Sequence, residues 1–124
     1  MKNFTITVIH AAFLRDGEQP TAVAKVHTAG LDIFQATEYA YRWTNNIDGS
    51  WSMKIGEDAN DDVEVIAPLI EHKGSTYGLR STSVGDVLFV DDGEGFTDYF
   101  KVAGFGFEPC DAIDYVTTTT LETA

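Results

Sequence analysis

The sequence predicts an α+β domain, with an antiparallel sheet of about five strands and one main helix, about residues 33–46, packed on one face. Three observations carry this. Short stretches near both ends alternate apolar and polar residues with a period of two. One internal stretch instead repeats its apolar residues at steps of three and four. Clusters of Gly, Asp, Asn and Pro separate these stretches at hairpin-like intervals. A small open β-barrel is the alternative, because a Gly-Asp pair before an apolar strand, here Gly85-Asp86, is common in small barrels. The 124 residues fit one domain with a real core, expected over residues 1–116. Residues 117–124 lack periodicity and read as a flexible C-terminal tail.

Phe4-Thr5-Ile6-Thr7-Val8 is a half-buried strand with Phe4, Ile6 and Val8 on the core side. Asp16-Gly17-Glu18-Gln19-Pro20 is a turn. Residues 21–27 return as a second strand with Ala22, Ala24 and Val26 on one face, so the two form a hairpin. Asp32 is an N-cap for the helix. Its apolar stripe is Ile33, Ala36, Ala40, Trp43 and Ile47, widened by Phe34 and Tyr41. Asn45, Asn46, Asp48 and Gly49 end it. Residues 63–67 make a short strand stopped by Pro68, and residues 71–78 read as loop. A single helical or 3₁₀ turn is expected over residues 81–85, followed by a buried strand, Val87 to Val90. Asp91-Asp92-Gly93-Glu94-Gly95 is a hairpin loop. The returning strand starts at Asp98, continues through Gly104-Phe105-Gly106-Phe107 and ends at Pro109; residues 111–116 suggest one helical turn.

Twenty acidic residues against eight basic ones give a net charge of −12. Such a surface repels nucleic-acid phosphates and anionic membranes, and suits basic partners, cations or solubility alone. With 8 Phe, 5 Tyr and 2 Trp the chain is a folding sequence, not an acidic disordered one. A lone Cys110 rules out an intrachain disulfide. His10, His27 and His72 lack partners at metal-binding spacing, so neither a metal nor a cofactor is expected. Residues 56–62 resemble a calcium loop, but counting from Asp58 the required Gly and Glu positions hold Val63 and Leu69. No signal peptide or 20-residue apolar span is read, which makes cytoplasmic the expected location.

Two groups of residues are candidates for binding. Arg80, Ser81, Ser83 and Asp86 combine a forked donor with hydroxyls and turn amides, the parts of an anion site. The same residues equally fit turn capping, with Asp86 closing a box on Ser83 and Arg80 paired to an acid. Neither serine has a base or a glycine-framed elbow beside it, so no catalytic residue is assigned. Tyr39 and Arg42 lie off the apolar stripe and are free to meet a partner; Trp51 either joins them or folds into the core. The acids form two loop clusters, one of Glu57, Asp58, Asp61 and Asp62, the other of Asp91, Asp92 and Glu94 with Asp98.

The blocks Glu38-x-Ala40-Tyr41-x-x-Thr44-Asn45-x-Ile47-Asp48-x-x-Trp51, Arg80-Ser81-Thr82-Ser83-Val84-Gly85-Asp86-Val87 and Val102-Ala103-x-x-Gly106-Phe107 resemble a family of small proteins carried by phages, plasmids and other mobile elements. The second block is also similar to a segment of YodL-like domains. The resemblance spans about residues 38–107. It implies a setting, mobile-element cargo, and carries over no activity and no catalytic residue.

These readings lead to two functional expectations. The first is a non-catalytic, acidic interaction protein acting on a basic or nucleic-acid-binding protein, in an anti-defence or DNA-mimic manner. It would make no direct contact with nucleic acid or membrane, and an uncovered edge strand allows a homodimer. The second is a small-molecule binder or enzyme with a pocket near Arg80 and the aromatic helix.

Overall fold

The computed structural model describes residues 3–46, 50–54 and 60–117. Its main sheet has seven strands, more than the five expected, in the order β3-β2-β1-β6-β7-β8 with β9 beside β3 on the edge of β2. These are β1 (Asn3–His10), β2 (Thr21–Ala29), β3 (Val63–Val65), β6 (Val87–Asp91), β7 (Thr97–Val102), β8 (Phe107–Cys110) and β9 (Val116–Thr117). All pairings are antiparallel except β2 with β9. A separate hairpin joins β4 (Ile70–His72) to β5 (Ser75–Tyr77). The sheet is open, so the barrel alternative is set aside.

The helix α1 (Ile33–Trp43) packs over β1 and β2. Asp32 caps it as expected: its side chain accepts from Gln35 N while Gln35 reaches back to Asp32 N. It stops three residues short of the expected end. Thr44 Oγ1 donates to the Ala40 carbonyl and the Asn45 side chain donates to that of Tyr41, so side chains take the last helical acceptors. Asn46 then turns away and bonds to Ser81 Oγ and the Leu79 carbonyl. Ala36 and Ala40 are buried on the sheet, but Phe34 is largely exposed and does not widen the core stripe.

Period-two alternation places Phe4, Ile6 and Val8 of β1 and Leu88 and Val90 of β6 in the core under the helix. In β2 it fails at Ala22: a bulge between Val8 and Ile9 shifts the register, so Val23 joins Ala24 and Val26 in that core while Ala22, though buried, lies on the other face with Thr5 and Thr7. Trp51, Val63 and Val102 complete the layer under the helix. The other face carries Thr5, Thr7, Lys25 and Phe89, and residues 111–115 cross it to bring β9 alongside Thr21.

Three further readings are corrected. Residues 71–78 include the β4–β5 hairpin; Lys73 and Gly74 both adopt positive φ, as a two-residue primed turn requires, without the Asn-Gly signal that marks such turns. Residues 104–107 do not continue β7. Ala103 N donates to the Gly106 carbonyl, the chain reverses, and Pro109 sits inside β8, an edge strand where a missing N–H is tolerated. Residues 111–115 are not helical but extended across the sheet, and pairing runs one residue into the expected tail, at Thr117.

Candidate functional site

The conspicuous polar cluster is built on Asp86, whose side chain is fully buried. Oδ1 accepts from Ala11 N at 2.8 Å, Ala12 N at 2.9 Å and Arg80 Nη2 at 2.8 Å. Oδ2 accepts from Arg80 Nη1 at 2.7 Å and Ser83 N at 2.8 Å. Arg80 also donates to the Ala12 and Ser81 carbonyls. Burial alone would raise the Asp86 carboxyl; the hydrogen bonds from Arg80, Ala12 and Ser83 outweigh it and hold the group below the usual carboxylate range. Asp86 N donates to Ser83 O, closing a turn with Gly85 at its third position and φ of +96°. A Cβ on Gly85 would lie 3.2 Å from the Ala12 Cβ. The turn over residues 83–86 therefore replaces the helical turn expected at 81–85, and Arg80, Ser83, Gly85 and Asp86 all serve to fasten the β1–β2 loop.

A second buried chain runs beneath the clamp. Thr44 gives its proton to Ala40 O, and Thr82 gives its proton to Thr44 Oγ1 at 2.8 Å. Thr82 Oγ1 is left to accept, so His10 Nε2, 3.2 Å away, must be the donor. Burial, and then the Arg80 charge, lower the His10 pKa to about 4 against the opposing pull of Asp86, so the ring is neutral at pH 7.

The other sequence candidates are dispersed. Ser81 Oγ accepts from Asn46 N, and Ser83 Oγ donates to the Ser81 carbonyl. Trp51 is buried, with Nε1 donating to the Arg80 carbonyl. Tyr39 OH donates to Asp62 at 2.6 Å and accepts from Asn60; burial and the Asp62 bond raise its pKa. Arg42 stacks its guanidinium on Trp43 and, with Glu38, Tyr41 and Phe107, lines a hollow of about 350 Å³. Asp61 and Asp62 precede β3; Asp91 is the last residue of β6, and Asp92 and Glu94 lie in the β6–β7 loop, whose amides donate to Asp91 and Asp92. Glu57 and Asp58 lie outside the described residues.

The strand register decides how the acids relate. The Asp62 carbonyl accepts from His27 N, His27 is opposite Thr5, and Thr5 is opposite Asp91. Both described acidic loops therefore lie at one end of the sheet. At that end is a cleft of about 640 Å³, mainly apolar, lined by Phe4, Leu31, Ile33 and Phe96 with Asp32 and Gln35. The opposite end carries the clamp and a loop that sequence reasoning passed over: Phe13, at φ +59°, leaves its ring 75% exposed, beside a partly exposed Leu14. The signal was an apolar Phe-Leu pair just past a strand end. Leu31 after Gly30 and Phe96 in an acidic loop were the matching signals for the cleft.

No helix among the described residues is long and apolar enough to cross a membrane. No three His, Cys, Asp or Glu side chains among them are grouped to hold a metal ion. Comparison with protein-family models, curated proteins and solved structures finds no match.

Proposed function

We propose that this is a non-catalytic interaction protein, carried by a mobile element, that binds a basic partner protein through the acidic end of its sheet. The observation that carries the reading is the apolar cleft at Phe4, Leu31, Ile33 and Phe96, which has Asp32 in its lining and takes Phe96 from the β6–β7 loop that also holds Asp92 and Glu94. Apolar anchors in desolvated pockets supply most of the affinity of interfaces, while surrounding charge speeds and selects encounter. The fitting partner presents an apolar side chain flanked by Lys or Arg, as nucleic-acid-binding surfaces do. A DNA-mimic or anti-defence role is one form of this activity.

The test uses a labelled peptide with a central Phe-Leu pair between arginines, and a control with Ser-Ser in the centre. Fluorescence polarisation is expected to show saturable binding of the first, weakened at least tenfold by Phe96→Asp and by joint neutralisation of Asp91, Asp92 and Glu94. Equal binding of both peptides, or no response to Phe96→Asp, refutes the reading.

A second reading, a small-molecule site on the aromatic helix, is favoured by the hollow at Glu38, Tyr41, Arg42 and Phe107. Arg80 lines neither this hollow nor the apolar cleft and has both terminal nitrogens engaged internally. Thermal-shift screening of carboxylate and phosphate metabolites tests it: a stabilising ligand must lose its effect in Arg42→Ala.

A further inference from the structure

The face of the sheet opposite the helix holds a hollow that neither reading above uses. It measures about 420 Å³, within the range of about 300–1,000 Å³ that small-molecule sites occupy. Thr5 and Thr7 of β1, Lys25 of β2 and Phe89 of β6 line it from the sheet. Tyr115 lines it from the segment that crosses this face, which is held there by the pairing of β9 with β2 and by Val116 N donating to the Pro20 carbonyl.

Two of these side chains have no structural occupation. Thr7 is 6% exposed, yet among the described residues its hydroxyl has no hydrogen-bond partner. A buried hydroxyl left unpaired is a cost that a valine of the same shape would avoid. Lys25 stands opposite both Thr7 and Glu64 in register, but Glu64 is turned to His27, with Nε2 and Oε1 3.1 Å apart. Lys25 is left without an ion pair among the described residues. Cation and hydroxyl, both donors, therefore meet in one row of the sheet.

The next row along β1 offers the reverse. Thr5 is opposite His27 on one side and Asp91 on the other. The Glu64 carboxylate can only accept, so His27 Nε2 donates to it, and Nδ1 of the neutral ring accepts from the Thr5 hydroxyl at 3.4 Å. The Thr5 oxygen is then left to accept. Asp91 uses Oδ1 for Gly93 N and leaves Oδ2. The two rows are two residues apart, roughly 7 Å, which leaves room for a ligand cation and anion each at about 2.8 Å from its partner. Between and around them, Phe89, Ile66 and Tyr115 supply apolar surface.

We infer that this hollow binds a free amino acid with an apolar side chain, its carboxylate on Lys25 and Thr7 and its ammonium on Asp91 and Thr5. Charge decides the class. An anion without an ammonium would face Asp91 and Glu64 unpaired, and a cation without a carboxylate would face Lys25. A neutral polyol would desolvate all three charges and neutralise none. A zwitterion answers both signs. The site is independent of the apolar cleft, which is lined from Phe4 and the helix on the other face.

Titration of the full chain with L-phenylalanine, followed in ¹H–¹⁵N spectra, tests this up to about 10 mM, enough to saturate a site with a Kd of about 1 mM. Saturable shifts are expected at the amides of Thr5, Thr7, Lys25 and Phe89. Phenethylamine and 3-phenylpropanoate, each lacking one charge, are expected to bind about tenfold or more weakly, as is L-phenylalanine to Lys25→Met. Thr7→Val is expected to weaken binding about fivefold while its unfolding midpoint equals or exceeds that of wild type, which a merely structural threonine would not allow. Should Thr7→Val not fold, Lys25→Met decides alone, since its exposed side chain has no partner to lose. No saturation, shifts centred on Arg42 and Phe107, or equal binding of the single-charge analogues overturns the inference. So does a folded Thr7→Val or Lys25→Met that binds like wild type. Glucose moving the same amides where L-phenylalanine does not would make this a polyol site and overturn it as well.

Discussion

The two ends of the sheet use the same residue types in opposite ways. At the clamp end, a carboxylate is buried and fully engaged: Asp86 accepts five hydrogen bonds and fixes a loop. At the other end, Asp91 ends β6, Asp92 and Glu94 sit on the loop that follows, and the His27–Glu64 contact is open to water, the two side chains being 51% and 59% exposed. A buried charge is held by its partners and loses heavily when one is removed; an exposed one is held by water and loses little. The clamp end therefore determines the shape of the protein, and the acidic end is free to meet something else. Substitutions at the two ends should differ accordingly.

The largest difference is expected between Asp86→Ala and Glu64→Gln. Removing Asp86 leaves the Arg80 guanidinium and three backbone N–H groups without their acceptor. The loss should be about 3–5 kcal/mol, against less than ~1 kcal/mol for Glu64→Gln. Urea unfolding followed by tryptophan fluorescence measures both. Similar losses for the two would break the comparison.

Next in size is a pH effect located at the clamp end. His10 is held neutral, with its pKa lowered from 6.5 to about 4. Between these values the unfolded chain binds a proton that the folded chain refuses, so stability must rise with pH across that window and fall as pH drops through it. The drop is about 3 kcal/mol in full. Asp86 has its folded pKa depressed, so its contribution is present above the ordinary carboxylate range and is lost only at lower pH still. His10→Gln should flatten the slope between pH 6.5 and 4 in urea midpoints. An unchanged slope would show that His10 is not its source.

A smaller effect belongs to the acidic end. Tyr39→Phe removes the hydrogen bonds to Asp62 and from Asn60, which tie the helix to the residues before β3. The expected loss is about 1 kcal/mol, read from thermal unfolding. A loss as large as that of Asp86→Ala would mean that the acidic end is also built as a clamp.

The sequence made the central strands and the helix start legible, because both depend on local signals. Phe4, Ile6 and Val8 alternate cleanly, and Asp32 with Gln35 forms a local capping box. The edges were harder. Lys73-Gly74 makes a hairpin turn without the usual Asn, Pro109 looks like a stop yet lies in a strand, and Gly104 to Gly106 look like a bulge yet reverse the chain. In each case position in the sheet, not composition, decides. The signature residues Arg80, Ser83, Gly85 and Asp86 were visible as a group with two uses open, anion binding or turn closure. What they hold, the loop at Ala11 and Ala12, is about 70 residues away in sequence, and no local pattern reports such a contact. The cleft likewise joins Phe4, Leu31 and Phe96 from three separate segments. That the acidic loops share one end follows only from strand register.

The smallest expected effect is the most discriminating test of the clamp end. Phe13 occupies left-handed backbone at φ +59°, which disfavours most side chains by roughly 1–2 kcal/mol and suits Asn better. Its ring is three-quarters exposed, so its main structural return is the contact with Arg80, worth about 0.5–1 kcal/mol at an exposed site. Phe13→Asn relieves the first term and forfeits the second. The result should be a protein at least as stable as wild type, by up to ~0.5 kcal/mol, visible as a rise of a few degrees at most in the unfolding midpoint. A core or capping residue cannot behave this way, because its removal always exposes a cavity or an unmet hydrogen bond. If Phe13→Asn instead lowers stability by more than 1 kcal/mol, the ring is part of the clamp and its exposure needs no partner. If stability holds, the backbone strain at Phe13 has no return within the monomer.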